Sequence, residues 1–287
     1  MDAAISTLYQ SDFYRIMDFK CRCADCRTSE PEYNETFCIS FVRKGNFLFN
    51  VFRRSLDSYT GCVLITKPGY ERTVTHAHSV PDECTIFEFT TAFYKGIVEQ
   101  YGKTGFFLDN DIHSTLYKTT PETEFLHYYI ARLILTRTGS KLQIDNLTME
   151  IIHKVLGGIT DHSPRPDIHP RLKQQHLTTI ELAKNYITEH FTDDISLQEI
   201  ANHCYVSPFH FSRLFKTFTG CSPYHFLLNI RLKHAEMLLK DSSLPAADIA
   251  FSSGFNSIEH FTAAFRQKYH KPPVKYRSEI LSGDGLK

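Results

Sequence analysis

The sequence predicts a two-domain α+β chain: an antiparallel β-sandwich or barrel with a helical hairpin in the first half, and an all-helical second half. Three observations carry that prediction. The hydrophobic period changes along the chain, a proline-rich stretch separates the two patterns, and charge and cysteine are shared unequally between the halves. With 287 residues, 42% hydrophobic and 22% charged, the composition is that of folded domains and excludes disorder, collagen-like repeats and coiled-coil rods. No apolar run approaches the roughly 18 uninterrupted residues a membrane span needs. The N-terminal segment is acidic and polar where a secretory leader is basic and apolar, so the chain reads as cytoplasmic, with no membrane partner.

Taken in order, short apolar or aromatic runs at residues 37–42, 47–52, 62–66 and 85–89 are punctuated by Lys44-Gly45-Asn46, Lys67-Pro68-Gly69-Tyr70 and Pro81-Asp82-Glu83. That is the rhythm of antiparallel strands and tight turns. From Pro121 the period becomes three and four: Phe125, Tyr128, Tyr129, Arg132 and Leu133, then Leu142, Leu147, Ile151, Ile152 and Val155, in two helices joined at Thr138-Gly139-Ser140. Such a hairpin has to cover something, either the sheet or a second subunit. Residues 157–171, GGITDHSPRPDIHPR, read as a linker, which divides the chain into domains 1–156 and 172–287.

Beyond the linker everything reads as helix. Ile180, Ala183, Tyr186, Ile187 and Phe191 mark one helix face; Ser196 with Glu199 forms a capping box, and Ser207-Pro208 supplies an N-cap followed by proline at the first helical position. Lys plus Arg and Asp plus Glu each number 32, so the chain lacks the basic excess that advertises a nucleic-acid partner. The average hides an asymmetry. From Arg171 onward 14 basic residues face 11 acidic ones and eight of the 15 histidines occur, whereas six of the eight cysteines lie in the first 84 residues.

The helical half repeats itself. An offset of 50 lays Ser207 on Ser257, His210 on His260, Phe211 on Phe261, Phe215 on Phe265, Lys216 on Arg266 and Pro223 on Pro273. Upstream the offset is 49, matching Ile200-Ala201 to Ile249-Ala250, so the second copy carries one more residue in a turn containing Gly254-Phe255. A turn that changes length between preserved helices is what a helix-turn-helix tolerates, and Gly254 suits a left-handed turn position.

On these residues, over roughly 175–277, the chain resembles the AraC/XylS family of transcription regulators. The segments ISLQEIANHCYVSPFHFSRLFKTFTGCSPYHFLLNIRLKHAEMLL and ADIAFSSGFNSIEHFTAAFRQKYHKPPVKYR follow that family's double helix-turn-helix signature. The resemblance implies a double-stranded DNA operator, RNA polymerase as a further partner, a homodimer, and a role in activation. It also implies two recognition helices entering successive major-groove segments about one helical turn, ~34 Å, apart. In the first helix the resemblance places Phe209, Ser212 and Arg213 at base edges, with Ser207 and His210 beside them. Arg213 suits guanine O6/N7, Phe209 a thymine methyl, and Lys216 a phosphate. The matching set in the second helix is Ser257, Ile258, Glu259, His260, Thr262 and Ala263. Ala263 stands where the family usually carries a basic residue, and Glu259 repels phosphate, so the second copy is expected to discriminate sequence less. His270 replaces the glycine that ends the family's last repeat helix.

The same resemblance implies a cupin-like barrel and dimerisation helices in the N-terminal half. Cys21, Cys23 and Cys26, with His76, His78 and Cys84, form a candidate zinc cluster there: alternation along a strand puts Cys21 with Cys23, and His76 with His78, on one face. Redox-responsive thiols are the alternative reading of this set, and an incidental set of reduced cytosolic thiols the plain one. Cys38 and Cys62 read as core. The aromatic residues within 41–52 are candidates to line an organic effector's pocket. An enzymatic alternative would use His76, His78 and Glu83 or Glu88 as a His/His/carboxylate metal site. No phosphate-binding glycine loop and no GxSxG motif occurs.

Overall fold

In the computed structural model, which describes residues 3–22, 28–76, 81–159, 168–241 and 243–282, the chain divides into two compact units between Glu181 and Leu182. The strands of the first unit are, in chain order, β1 (Ala3–Gln10), β2 (Tyr14–Cys21), β3 (Glu32–Asn34), β4 (Phe37–Lys44), β5 (Asn46–Val51), β6 (Arg54–Tyr59), β7 (Cys62–Thr66), β8 (Tyr70–His76), β9 (Glu83–Phe89) and β10 (Ser114–Lys118). They form a six-stranded sheet, β1-β2-β9-β4-β7-β10, and a four-stranded sheet, β3-β8-β5-β6, antiparallel throughout. The expected barrel is therefore replaced by two facing sheets. Closure would need an end strand of one sheet to pair with an end strand of the other, and no such ladder joins the described strands.

Alternation along the strands gives the larger sheet two buried faces. Tyr14 and Ile16 on β2, Phe37, Ile39 and Phe41 on β4, and Phe87 and Phe89 on β9 point one way and are all buried. The helices α1 (Thr91–Tyr101), α3 (Pro121–Leu135) and α4 (Lys141–Gly157) cover this face; between α1 and β10 runs the short α2 (Gly105–Leu108). The Tyr14 hydroxyl donates to Asp145 Oδ1 of α4 at 2.6 Å, Phe41 stacks on His127 of α3 with centroids 4.6 Å apart, and Phe37 stacks on Tyr94 of α1 at 4.9 Å. The helical hairpin thus covers the sheet. Val42, Leu64, Cys84 and Leu116 on the opposite face meet Phe47, Phe49, Tyr70 and Val74 of the smaller sheet in a second apolar layer.

Local chemistry fixes the hairpin's ends. Thr120 and Thr123 form a capping box with Pro121 at the first position of α3, and Ser140 accepts from the Gln143 N–H to start α4. At the turn, a Cβ on Gly139 would lie 2.9 Å from Leu133 Cβ, so glycine is required for contact rather than for torsion. Leu142, expected on the covered face, is instead 71% exposed, because it sits in the first turn before α4 meets the sheet.

The first unit closes with the opening turns of α5 (Pro170–Glu189). Lys173 pairs with Asp57 while its ammonium lies 5.0 Å over the Tyr59 ring, and Glu181 accepts from the Gly45 N–H at 2.9 Å and the Thr60 hydroxyl at 2.6 Å. The break between units accordingly falls within this helix, past the 157–171 stretch read as linker.

The second unit is helical: the end of α5, then α6 (Leu197–His203), α7 (Pro208–Thr219), α8 (Pro223–Asp241), α9 (Ala246–Ser252), α10 (Ile258–Tyr269) and α11 (Pro273–Leu281). No helix of the described residues is long and apolar enough to cross a membrane.

Candidate nucleic-acid interface and interior cavity

The repeat read in the sequence is a repeat in space. Helices α6 and α9 are both seven residues long, and α7 and α10 are both twelve. Ala201 and Ala250, Phe211 and Phe261, and Phe215 and Phe265 are fully buried at matching positions. The turn is 204–207 in the first copy and 253–257 in the second, and the added residue is Asn256. Ser196 and Glu199 make the expected capping box. Ser257 accepts from the His260 N–H at 3.1 Å, whereas Ser207 makes no side-chain cap bond and Pro208 alone starts α7.

With Phe211, Leu214, Phe215 and Phe218 turned into the core, α7 presents Phe209, Arg213 and Lys216 to solvent, with His210 and Ser212 half-buried. Phe209 is 82% exposed, a large apolar side chain kept in water on the face that also holds the two cations. On α10 the outward residues are Ile258, Glu259, His260 and Ala263, with Thr262 half-buried. Every residue expected on the reading faces is thus outward or at the rim. Tyr224, on the first turn of α8, was not among them; its hydroxyl reaches His260 Nε2 at 3.3 Å and ties the start of α8 to the start of α10.

Left-handed backbone occurs at the same two places in each copy. Tyr205 (φ +56°) and Gly254 (φ +81°) share the turn position, and Gly220 (φ +84°) and His270 (φ +62°) share the cap that ends the second helix. His270 takes the left-handed cap conformation in spite of its side chain, its N–H donating to Arg266 O at 2.9 Å. At Gly254 a Cβ would lie 2.6 Å from Phe191 O and 2.9 Å from Thr192 Cα, so the second turn is seated against the end of the first copy's entry. Arg231 secures the same contact, donating from Nε to Phe191 O and from a terminal nitrogen to Asp193 O, both at 2.7 Å. Tyr205 meets no such wall and is 92% exposed; no periodic pattern marked it.

The first unit holds a cavity of about 340 Å³ between its sheets. Alternate residues of facing strands line it: Phe19, Phe47, Phe49, Leu64, Val74 and Ile86 form an apolar middle. One end carries His76, Asp82 and Cys84; the other carries Arg72, Glu88 and Cys38, four residues along β8 and β9, or about 13 Å by strand rise. His76 Nδ1 is hydrogen-bonded to Asp82; Arg72 pairs with Glu32 at 2.8 Å, and Glu88 pairs with Arg15 and accepts from the Thr36 hydroxyl at 2.9 Å. Burial pushes the Cys84 thiol up to about 12 and the Cys38 thiol up to about 11.

Of the aromatic run, Phe47 and Phe49 line the cavity, while Phe41 faces the helices and Phe52 is exposed. Of the candidate zinc ligands, Cys21, His76 and Cys84 are described; Cys23, Cys26 and His78 lie outside the described residues. Cys21 is buried at the end of β2, its N–H donating to Asp82 O at 2.9 Å. Among the described residues no group of three His, Cys, Asp or Glu side chains is placed to hold a metal ion. The carboxylate that reaches His76 is Asp82, not Glu83 or Glu88, which pair with cations elsewhere. Asp82 was read only as a turn residue, because its proline neighbour conceals its inward direction.

The family described as a helix-turn-helix domain matches residues 180–279. Regulatory protein PocR of Salmonella typhimurium is 29% identical over 166 residues, 57% of this chain and 52% of that protein. An uncharacterized HTH-type transcriptional regulator of Staphylococcus aureus is 28% identical over 168 residues, 58% of this chain and 22% of its own length. The chain thus spans about half the length of the first of these relatives and less of the second. Among solved structures, the C-terminal domain of AraT, a response regulator from Geobacillus stearothermophilus, is 34% identical, covering 35% of this chain and 84% of that one, with a TM-score of 0.34.

Proposed function

The C-terminal domain of this chain belongs to the AraC family of helix-turn-helix domains, and from that premise we propose that the chain is a transcription regulator reading double-stranded DNA with α7 and α10. The carrying observation is the tandem repeat itself: two copies with equal helix lengths and matching buried phenylalanines, each leaving one helix face outward. Arg213 forks onto a guanine, Phe209 lies against a thymine methyl, and Lys216 holds phosphate. Ala263 and Glu259 make α10 the weaker reader. Activation through RNA polymerase, a homodimer and action in the cytoplasm, where the operator is, complete this reading.

The test is selection of duplexes by the full chain from a randomised library, followed by variants. Arg213→Ala should cost about 1–3 kcal/mol at one base pair and relax preference there. Lys216→Ala should weaken all duplexes alike and lower the slope of log affinity against log salt by about one. No enrichment of any sequence by the wild-type chain would sink the reading.

In the first unit the same reading places an organic effector between the sheets. The cavity's apolar middle and its polar groups at both ends favour an elongated amphipathic molecule. The second reading of this unit is a zinc site or redox-responsive thiols among Cys21, Cys23, Cys26, His76, His78 and Cys84, since a bound zinc would itself deprotonate its thiol ligands. Elemental analysis of reduced, tag-free protein separates the two, because the absence of stoichiometric zinc leaves the organic effector. About one zinc per chain, lost in Cys21→Ser/Cys23→Ser, would instead make the cluster a metal site.

A further inference from the structure

Among the described residues of the helical unit Tyr205 is the most exposed large hydrophobic one, and its backbone is left-handed, with φ +56°. Both features act against it in a free domain. A tyrosine in this region is strained where glycine is not, and an exposed ring gains nothing from the core. The chain itself shows the unstrained solution, because the same position of the second copy is Gly254. At 92% exposure the Tyr205 ring is not required for packing either. Strain at an exposed side chain of this size is the mark of a residue held for contact with something outside the fold.

Its place says what that is. Tyr205 lies three residues before Pro208, the start of α7, and four before Phe209, the other large side chain this helix keeps in water. A ring and hydroxyl at the mouth of a recognition helix sit beside the groove rather than in it, and tyrosine hydroxyls are regular donors to phosphate oxygens. Resting on the reading of α7 as a DNA-reading helix, we infer that Tyr205 is a DNA-backbone contact of the first copy, its hydroxyl donating to a phosphate and its left-handed turn aiming it there. The second copy has exchanged that contact for the seat of Gly254 against Phe191 and Thr192.

The experiment uses the full chain and duplexes it has itself enriched from a randomised library. Tyr205→Gly is expected to raise the melting temperature by a few degrees, and to weaken binding to all enriched duplexes alike by about 3- to 10-fold, the loss of one hydrogen bond. The salt slope should stay unchanged, because no charge is removed. Tyr205→Phe, which keeps the ring and the strained backbone but removes the hydroxyl, should lose affinity to the same degree with the melting temperature unchanged. Wild-type affinity in either variant, or a shift of preference at one base pair, overturns the backbone contact while leaving the DNA-binding reading intact. Failure of the wild-type chain to enrich any duplex overturns both.

Discussion

At Gly254 two separate demands fall on one residue: a φ of +81°, and a Cβ direction already filled by Phe191 O and Thr192 Cα. At His270 only the first demand applies, since its φ is +62° and its side chain is exposed. Opposite substitutions should therefore have opposite signs. Gly254→Ala is expected to cost about 2–4 kcal/mol, combining left-handed strain with overpacking. His270→Gly should stabilise by about 1 kcal/mol, as glycine does at a left-handed cap. Urea titrations of both variants check this, and a neutral Gly254→Ala would mean the second turn is not seated on the first copy's entry. Gly254 was legible in the sequence because glycine in a turn advertises left-handed backbone. The strain at Tyr205 was not, since a bulky exposed residue leaves no trace in hydrophobic periodicity.

Where α11 packs on α8, the Tyr276 ring joins the apolar cluster that includes Leu232, Ala235 and Leu239, and its hydroxyl meets a buried charge. Glu236 is buried between Lys233, Lys240 and the Tyr276 hydroxyl, which donates to Oε1 at 2.9 Å. Burial alone would raise its carboxyl, but the ammonium groups of Lys233 and Lys240 outweigh burial and hold it down to about 2. A depressed acid stabilises the fold above its unfolded value of about 4.3, and that contribution is lost as pH falls from there towards 2. Glu236→Gln should cost about 1–3 kcal/mol near neutrality, because the charge-assisted bonds to Lys233 and Lys240 are lost from a buried site. It should also flatten the stability profile between about pH 4.3 and 2, measured by denaturant midpoint, and an unchanged acid slope would remove Glu236 from the account. The pair was hidden in the sequence, where Lys233 and Glu236 look like an exposed helix face. Visibility followed the same rule in the strands. Those at β4, β5, β7 and β9 announced themselves because apolar and aromatic residues cluster in them and most of each strand is buried. Polar β6 (RSLDSY) and β8 (YERTVTH), and the half-exposed β1, carry alternation too weak to read without their partners.

For the whole molecule, the balance of 32 basic and 32 acidic residues, with a surplus of three positive charges from Arg171 onward, limits what electrostatics can contribute to DNA affinity. Tight binding by such a chain has to come from joining reading units, which converts the second contact into an intramolecular one. In the proposed regulator the α3–α4 hairpin is the candidate for that joining. Leu135 and Leu142 flank its turn and are each 71% exposed, while the rest of the hairpin's apolar face is spent on the sheet. If these leucines hold two protomers together, Leu135→Glu/Leu142→Glu should sediment as a monomer while keeping the wild-type melting temperature, since neither side chain supports the fold. On a duplex with two selected sites its affinity should fall by about 10²-fold or more, whereas binding to a single site should be unchanged. A variant that still sediments with the wild type would move the subunit contact elsewhere. Loss of single-site binding as well would mean that the substitutions act through the fold and not through assembly.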